Sequence, residues 1–205
     1  AAKADEEMQR KADEELDMGE DEAASEEGTS PQTEPRTQKT LDMLINNHDE
    51  YGTTALMLCA QYGDVKTLEL LIENGAKCEA TSLDGTTALM MAARDGRNHT
   101  CSLLLKENDG RPRSDVNATR VDGRDALSAA ASYGHFMCVE EIVAHGARVD
   151  HTAKDGKTAL MRACTFGHNK VVSKLIDVKA SVLITTGKKE SALHMACEGG
   201  HERVA

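Results

Sequence analysis

Tryptophan is absent from this 205-residue chain, and tyrosine and phenylalanine contribute only three and two residues. A core must therefore be assembled from leucine, alanine, methionine and valine, which have little need of aromatic partners. No apolar run approaches the roughly 20 residues that a bilayer helix requires, and no charged-then-apolar leader opens the chain. These absences predict a soluble protein without membrane insertion, cytoplasmic, with the nucleus as the other compartment open to it. Cysteine occurs six times but never as Cys-x-x-Cys, and no histidine pair stands at zinc spacing. A glycine-rich phosphate loop, a nucleophile elbow and a kinase signature are lacking as well. The expectation is a protein that is not an enzyme, with no catalytic residues, no metal and no cofactor.

Charge is unevenly placed. The chain carries a net −11, but residues 1–36 hold 13 acidic and 4 basic side chains, while the remainder holds 22 and 20. From Asp5 to Glu27 the only large apolar side chains are Met8, Leu16 and Met18, too few to offset the entropy of ordering. Residues 1–36 are predicted to be a disordered acidic tail. Leu41, Leu44 and Ile45 give the next segment, 37–48, the pattern of a capping helix that shields the residues C-terminal to it.

From residue 49 onwards the chain is periodic. A leucine preceded by alanine recurs at Leu56, Leu89, Leu127, Leu160 and Leu193, with steps of 33 residues and one of 38, and a glycine trails each by seven, at Gly63, Gly96, Gly134, Gly167 and Gly200. Two residue types that keep one period and share one exception mark a structural repeat. Thr54, Thr87 and Thr158, with Asp125 and Ser191 in the other two units, precede short helices that the glycines close. A second helix comes next, with apolar residues at helical spacing, as in Val65, Leu68, Leu71 and Ile72. Asp-Gly turns then appear at Asp84-Gly85, Asp122-Gly123 and Asp155-Gly156. The units are 49–81, 82–119, 120–152, 153–185 and a truncated 186–205. The second carries five extra residues around Asn108-Asp109-Gly110-Arg111-Pro112-Arg113-Ser114, which are expected to bulge from the stack.

Over roughly residues 49 to 205 this pattern resembles the ankyrin-repeat family, carried by Asp-Gly-Thr-Thr-Ala-Leu-Met at 84–90, Gly-Ala-Arg-Val-Asp at 146–150 and Ser-Asp-Val-Asn-Ala at 114–118. The resemblance implies a mainly α solenoid of helix-turn-helix units with β-hairpin loops, stacked into a curved rod. The chain departs from the family pattern at two places. Alanine (Ala55, Ala88, Ala126, Ala159 and Ala192) replaces the proline that starts the first helix. Of the histidines that often come next, only His194 is kept, the others being Met57, Met90, Ser128 and Met161. Fewer hydrogen bonds between repeats are therefore expected. The opening Ala1 and the break of the last repeat at Ala205 predict a fragment of a longer protein with further repeats or a cap.

The repeat map also accounts for the residues most suggestive of chemistry. Cys59, Cys164 and Cys197 stand in for small residues of the first helix, Cys101 and Cys138 for valine in the second, and Cys78 follows Gly-Ala, so all six are read as core packing. A thiol redox sensor is the competing reading. His135, His168 and His201 each follow a helix-closing glycine, a family habit and not a triad. Asn117 matches a hairpin asparagine that some family members have hydroxylated; the insertion beside it alters the upstream spacing, and a side chain bonded to its own backbone is the structural reading.

Partners in the ankyrin family meet the concave surface made by hairpin tips and first helices. Carried over, that surface comprises Tyr51, Thr53, Tyr62, Leu83, Arg94, Asp95, Arg124, Tyr133, Lys154, Lys157 and Phe166. Four of the five aromatics, Tyr51, Tyr62, Tyr133 and Phe166, fall on it, where they either bind a partner or pack on the next repeat. The early tips are acidic and the later ones basic, through Arg120, Arg124, Lys154, Lys157, Lys188 and Lys189. The near-neutral array lacks the basic stripe that nucleic acid requires. The expected function is a non-catalytic interaction scaffold for a protein or peptide, a monomeric array. The alternative is a targeting or regulatory segment of a larger enzyme, such as a kinase or a ubiquitin ligase.

Overall fold

The computed structural model of the chain describes residues 41–108 and 111–203. The predicted acidic tail and residues 37–40 of the predicted cap lie outside the described residues. The first helices are α1 (Ala55–Tyr62), α3 (Ala88–Arg94), α5 (Ala126–Tyr133), α7 (Ala159–Thr165) and α9 (Ala192–Glu198); the second helices are α2 (Val65–Glu73), α4 (Asn98–Leu105), α6 (Phe136–Ala144) and α8 (Asn169–Asp177).

Short helices of seven to nine residues do not stand alone in water, so their ends are specified locally. The hydroxyls of Thr54, Thr87 and Thr158 accept from the backbone N–H three residues on, at 3.3–3.4 Å. Asp125 does so at 2.8 Å and completes a capping box with Ser128. At the other end, Gly63 and Gly134 take left-handed φ values of 78° and 76° and return their N–H to Cys59 and Ala130. Lys179 and Lys189 hold the same left-handed geometry without being glycine.

The first helices pack on one another in one layer, and the second helices form a layer behind them. Leu56, Leu89, Leu127 and Leu160, the residues that revealed the repeat, are at most 2% exposed. Alanines 60, 93, 130, 131, 163 and 196 are fully buried and let neighbouring first helices approach closely. Met57, Met90 and Met161 are buried where the family carries histidine, their flexible stems filling the gap. On α9, the last described helix, Leu193 is 55% exposed.

Successive repeats are joined by both side-chain and backbone bonds. From the second repeat on, the residue after the closing glycine reaches back to a carbonyl of the preceding first helix. Arg97 Nε donates to Gln61 at 3.0 Å, and the Nε2 of His135, His168 and His201 meets Arg94, Ser132 and Thr165 at 2.9, 2.9 and 3.1 Å. Adjacent hairpins are joined by Leu83 N to Tyr51 O, Val121 N to Asp84 O and Lys154 N to Asp122 O, at 2.8–3.0 Å.

Two departures from expectation and one added strand pair concern single elements. Residues 41–45 are helical, yet Leu41 and Leu44 stay exposed and Ile45 is half-buried, so among the described residues these leucines do not cover the first repeat. Asn46 makes the connection, accepting from Lys77 N at 2.8 Å and donating to Gly75 O at 3.1 Å. Asn117 occupies the same register one insertion later: its side chain accepts from Arg148 N at 2.8 Å and bonds Gly146, in place of its own backbone. Within the insertion, β1 (Glu107–Asn108) pairs antiparallel with β2 (Arg111–Pro112).

Candidate functional site

On each first helix the residues four apart that point away from the second helices share one face. They are Leu58 and Tyr62, Met91 and Asp95, Ala129 and Tyr133, and Arg162 and Phe166. Stacking therefore turns them into two rows running along the array. Tyr62, Tyr133 and Phe166 are 71%, 59% and 56% exposed, so packing against the next repeat does not occupy them. Tyr133 stacks beside His135 and Phe166 lies tilted beside His168, with ring centroids 6.3 Å apart in both. The histidine that ties two repeats together thus also braces the aromatic of its own repeat.

The hairpins supply the neighbouring rows. Tyr51, Leu83 and Lys154 are exposed at the tips, with Val121 in the same row; Arg124 is exposed and Thr53 and Lys157 are half-buried. Arg94, Arg124 and Tyr133, named from sequence, line one groove between repeats 2 and 3, together with Met91, Arg120 and Ala129. Tyr51, Thr53, Tyr62, Leu83, Lys154, Lys157 and Phe166 lie outside it, and Asp95 borders it through its pair with Arg94 at 3.1 Å. Sequence reasoning missed Leu58, Met91, Ala129 and Arg162. Counting back four residues from each position in the aromatic row would have found them.

Electrostatics along this face are paired. Arg120 bonds Asp84, Arg124 lies 3.4 Å from Asp122, and the nearly buried Arg162 donates to both oxygens of Asp155 at 2.9–3.0 Å. Hydroxyl donors from Ser82 and Thr86, with the Thr86 N–H and the Arg120 charge, hold the Asp84 carboxyl down at about 2. A depressed carboxylate adds stability above its unfolded pKa, near 4, and loses it as pH falls through about 2. The melting temperatures of wild type and Asp84→Asn should therefore differ by a constant amount from pH 7 to 5 and converge between pH 4 and 2. A gap that stays constant to pH 2 would remove the carboxylate from this role.

The cysteines divide where the sequence had them alike. Cys78, Cys101, Cys138 and Cys164 are buried, Cys59 is half-buried and Cys197 is exposed. Cys197 lies on α9, whose Leu193 side is open among the described residues. Cys101 and Cys138, both free thiols, share a hydrogen bond between α4 and α6; this and burial push the Cys101 thiol up, while burial pushes Cys164 up to about 11. A thiol kept protonated is a poor nucleophile. Maleimide at neutral pH should label Cys197 fast, Cys59 slowly and the other four only after denaturation. Fast labelling of Cys101 or Cys138 in the native state would contradict their burial. Among the described residues no cluster of three or more His, Cys, Asp or Glu could hold a metal ion, and no helix is long and apolar enough to cross a membrane.

Comparison with known proteins gives one family. A family description, ankyrin repeats (3 copies), matches residues 36–114, 63–153 and 111–186. No curated protein matches the chain. Ankyrin repeats are generally protein–protein interaction modules and typically non-catalytic. With that match spanning most of the sequence and the paired-helix stack observed, the chain belongs to the ankyrin-repeat family.

Proposed function

We propose that this chain is a non-catalytic scaffold that takes up a segment of a partner protein on the face formed by its first helices and hairpin tips, the concave face of the family. One observation carries the reading: Tyr62, Tyr133 and Phe166 stand more than half exposed at equivalent positions of repeats 1, 3 and 4, in a chain with only five aromatics. Aromatic side chains presented on a rigid layer are the residues that most often dominate binding energy. Leu58 and Met91 beside them extend the apolar surface. Six unpaired thiols favour a reducing compartment, the cytoplasm or nucleus.

The test is affinity capture on the full chain against Tyr62→Ala, Tyr133→Ala and Phe166→Ala combined, after circular dichroism shows equal folding. Because the three rings are exposed, their removal should leave stability within about 0.5 kcal/mol while abolishing retention of the partner. Equal retention by the triple variant would move the binding surface elsewhere.

A further inference from the structure

The pairing that neutralises the arginines of this face does not extend to the lysines of repeats 4 and 5. Lys154 and Lys157 belong to the fourth hairpin turn, closed by Ala153 N to Lys157 O at 3.2 Å, and Lys188 and Lys189 to the fifth, closed by Thr186 N to Glu190 O at 2.9 Å. The two turns touch, since a Cβ on Gly156 would lie 3.3–3.4 Å from the backbone of Thr186 and Gly187. Lys154, Lys188 and Lys189 are exposed and Lys157 is half-buried. Among the described residues none of these four lysines enters an ion pair. The acids of the same turns are already engaged, Asp155 by Arg162 and Glu190 by the Thr186 hydroxyl.

The fifth turn holds its lysines against local preference. In turns two to four an aspartate precedes a glycine: Asp84, Asp122 and Asp155 each accept the N–H two residues on, at 3.0–3.1 Å, and the glycines take left-handed φ values of 74–80°. Lys188 and Lys189 occupy those two positions in the fifth. Thr186 Oγ1 accepts in place of the missing carboxylate, at 3.3 Å, and Lys189 is held at φ 64°, a conformation that a Cβ disfavours. Two unpaired cations on a strained turn, where an aspartate and a glycine would fold more easily, mark a functional demand.

The other end of the hairpin row has the opposite sign. The first turn exposes Asp49 and Glu50 and holds no lysine or arginine. Three to four steps of about 8–10 Å between neighbouring helices put it roughly 25–40 Å from the lysines, several Debye lengths at physiological salt, so it does not neutralise them. Two touching turns, bounded by the paired Arg124 and Asp122 of the third, give no continuous basic track for a nucleic-acid backbone. They suit a short run of carboxylates, and Phe166, exposed on the first helix of the fourth repeat, adds an apolar contact.

Resting on the scaffold reading above, we infer that the hairpin turns of repeats 4 and 5 bind an acidic segment of the partner protein, a run of aspartates or glutamates, which the first repeat repels. The partner therefore lies in one direction along the aromatic row. Its acidic run meets Lys154, Lys157, Lys188 and Lys189, and an apolar residue next to that run meets Phe166.

The experiment selects a random-peptide phage library on the full chain at low salt, then measures the enriched peptides by fluorescence anisotropy against two variants of equal net charge, both shown to be folded by circular dichroism. One combines Lys154→Gln, Lys157→Gln, Lys188→Gln and Lys189→Gln. The other combines Lys66→Gln, Lys77→Gln, Lys106→Gln and Lys170→Gln, exposed lysines on or just after the second helices. Enriched peptides should carry a run of acidic residues, bind the second variant as they bind wild type, and bind the first about tenfold or more weakly with a flatter dependence on salt. Equal loss on both variants would reduce the effect to net charge and overturn the site, as would enrichment without an acidic run. Peptides lost on the triple aromatic variant but not on the first lysine variant would overturn the inference and leave the scaffold reading standing. Loss on the first lysine variant alone would keep the acidic partner and take the aromatic row out of the binding surface. A labelled peptide of residues 1–36, or an RNA oligonucleotide, that binds through the four lysines more tightly than any selected peptide would give them a different occupant and overturn the partner segment. A library that yields no binder would count against both readings.

Discussion

Replacing Leu127 by alanine is expected to lower the unfolding free energy by about 3–4 kcal/mol, read as a fall in the urea midpoint by circular dichroism. Leu127 is 1% exposed on α5, and α5 packs against α3 on one side and α7 on the other. The loss combines the transfer of the side chain with the cavity left behind. That cavity should persist, because the first-helix layer around it is rich in alanine, which has no side-chain atoms able to swing into the gap. In a solenoid each unit is held by its neighbours, so a defect in the central repeat weakens two interfaces at once. A loss below about 1 kcal/mol would fall under the range such deletions show and would mean that the helices close over the site.

Gly134→Ala is expected to cost about 2–3 kcal/mol, from two separable effects. The first is the left-handed backbone, φ 76°, which a residue with a Cβ adopts at a cost of about 1 kcal/mol or somewhat more. The second is a collision: a Cβ at this position would meet His168 Nδ1 at 2.5 Å. The ring cannot turn aside without breaking the 2.9 Å bond from Nε2 to the Ser132 carbonyl, worth about 1 kcal/mol. Gly146 separates the two effects, since its φ is 83° and nothing lies within 4 Å of the place a Cβ would take. Gly146→Ala should therefore cost only the backbone share. In the Gly134→Ala, His168→Ala double variant the losses should fall short of their sum, because the ring that collides is gone. Equal losses at Gly134 and Gly146 would show that the histidine yields freely. Gly96 and Gly167 face His135 and His201 at the same 2.5 Å, so the result would hold for the whole ladder.

Much of the architecture is legible in the sequence because its causes are local. A capping oxygen at Thr54 acts on Met57, and a glycine at 63 closes a helix begun eight residues earlier; both operate within one or two turns of chain. Repetition then multiplies a weak signal. The capping segment misleads for the converse reason. Leu41, Leu44 and Ile45 have the spacing of a buried stripe, but whether a stripe is covered depends on what lies opposite. At this end Asn46, a polar residue, makes the bonds to the first repeat. Asn117 misleads likewise, its partners Gly146 and Arg148 being 29 and 31 residues away.

The sequence by itself determined the period, the paired helices and their caps, the turn positions and the residues that fill the core, because helix propensity, capping and amphipathic spacing are properties of short segments. Only the tertiary structure decided which residues meet between units. It set the histidine ladder onto carbonyls 36 to 41 residues back, left Cys197 exposed while Cys164 is buried, and paired Arg120 with Asp84. It also brought Met91, Arg94, Ala129 and Tyr133 together in one groove between repeats 2 and 3. Each of these depends on the rotation and rise between successive repeats, a geometry that arises when the layers pack and that no single segment encodes.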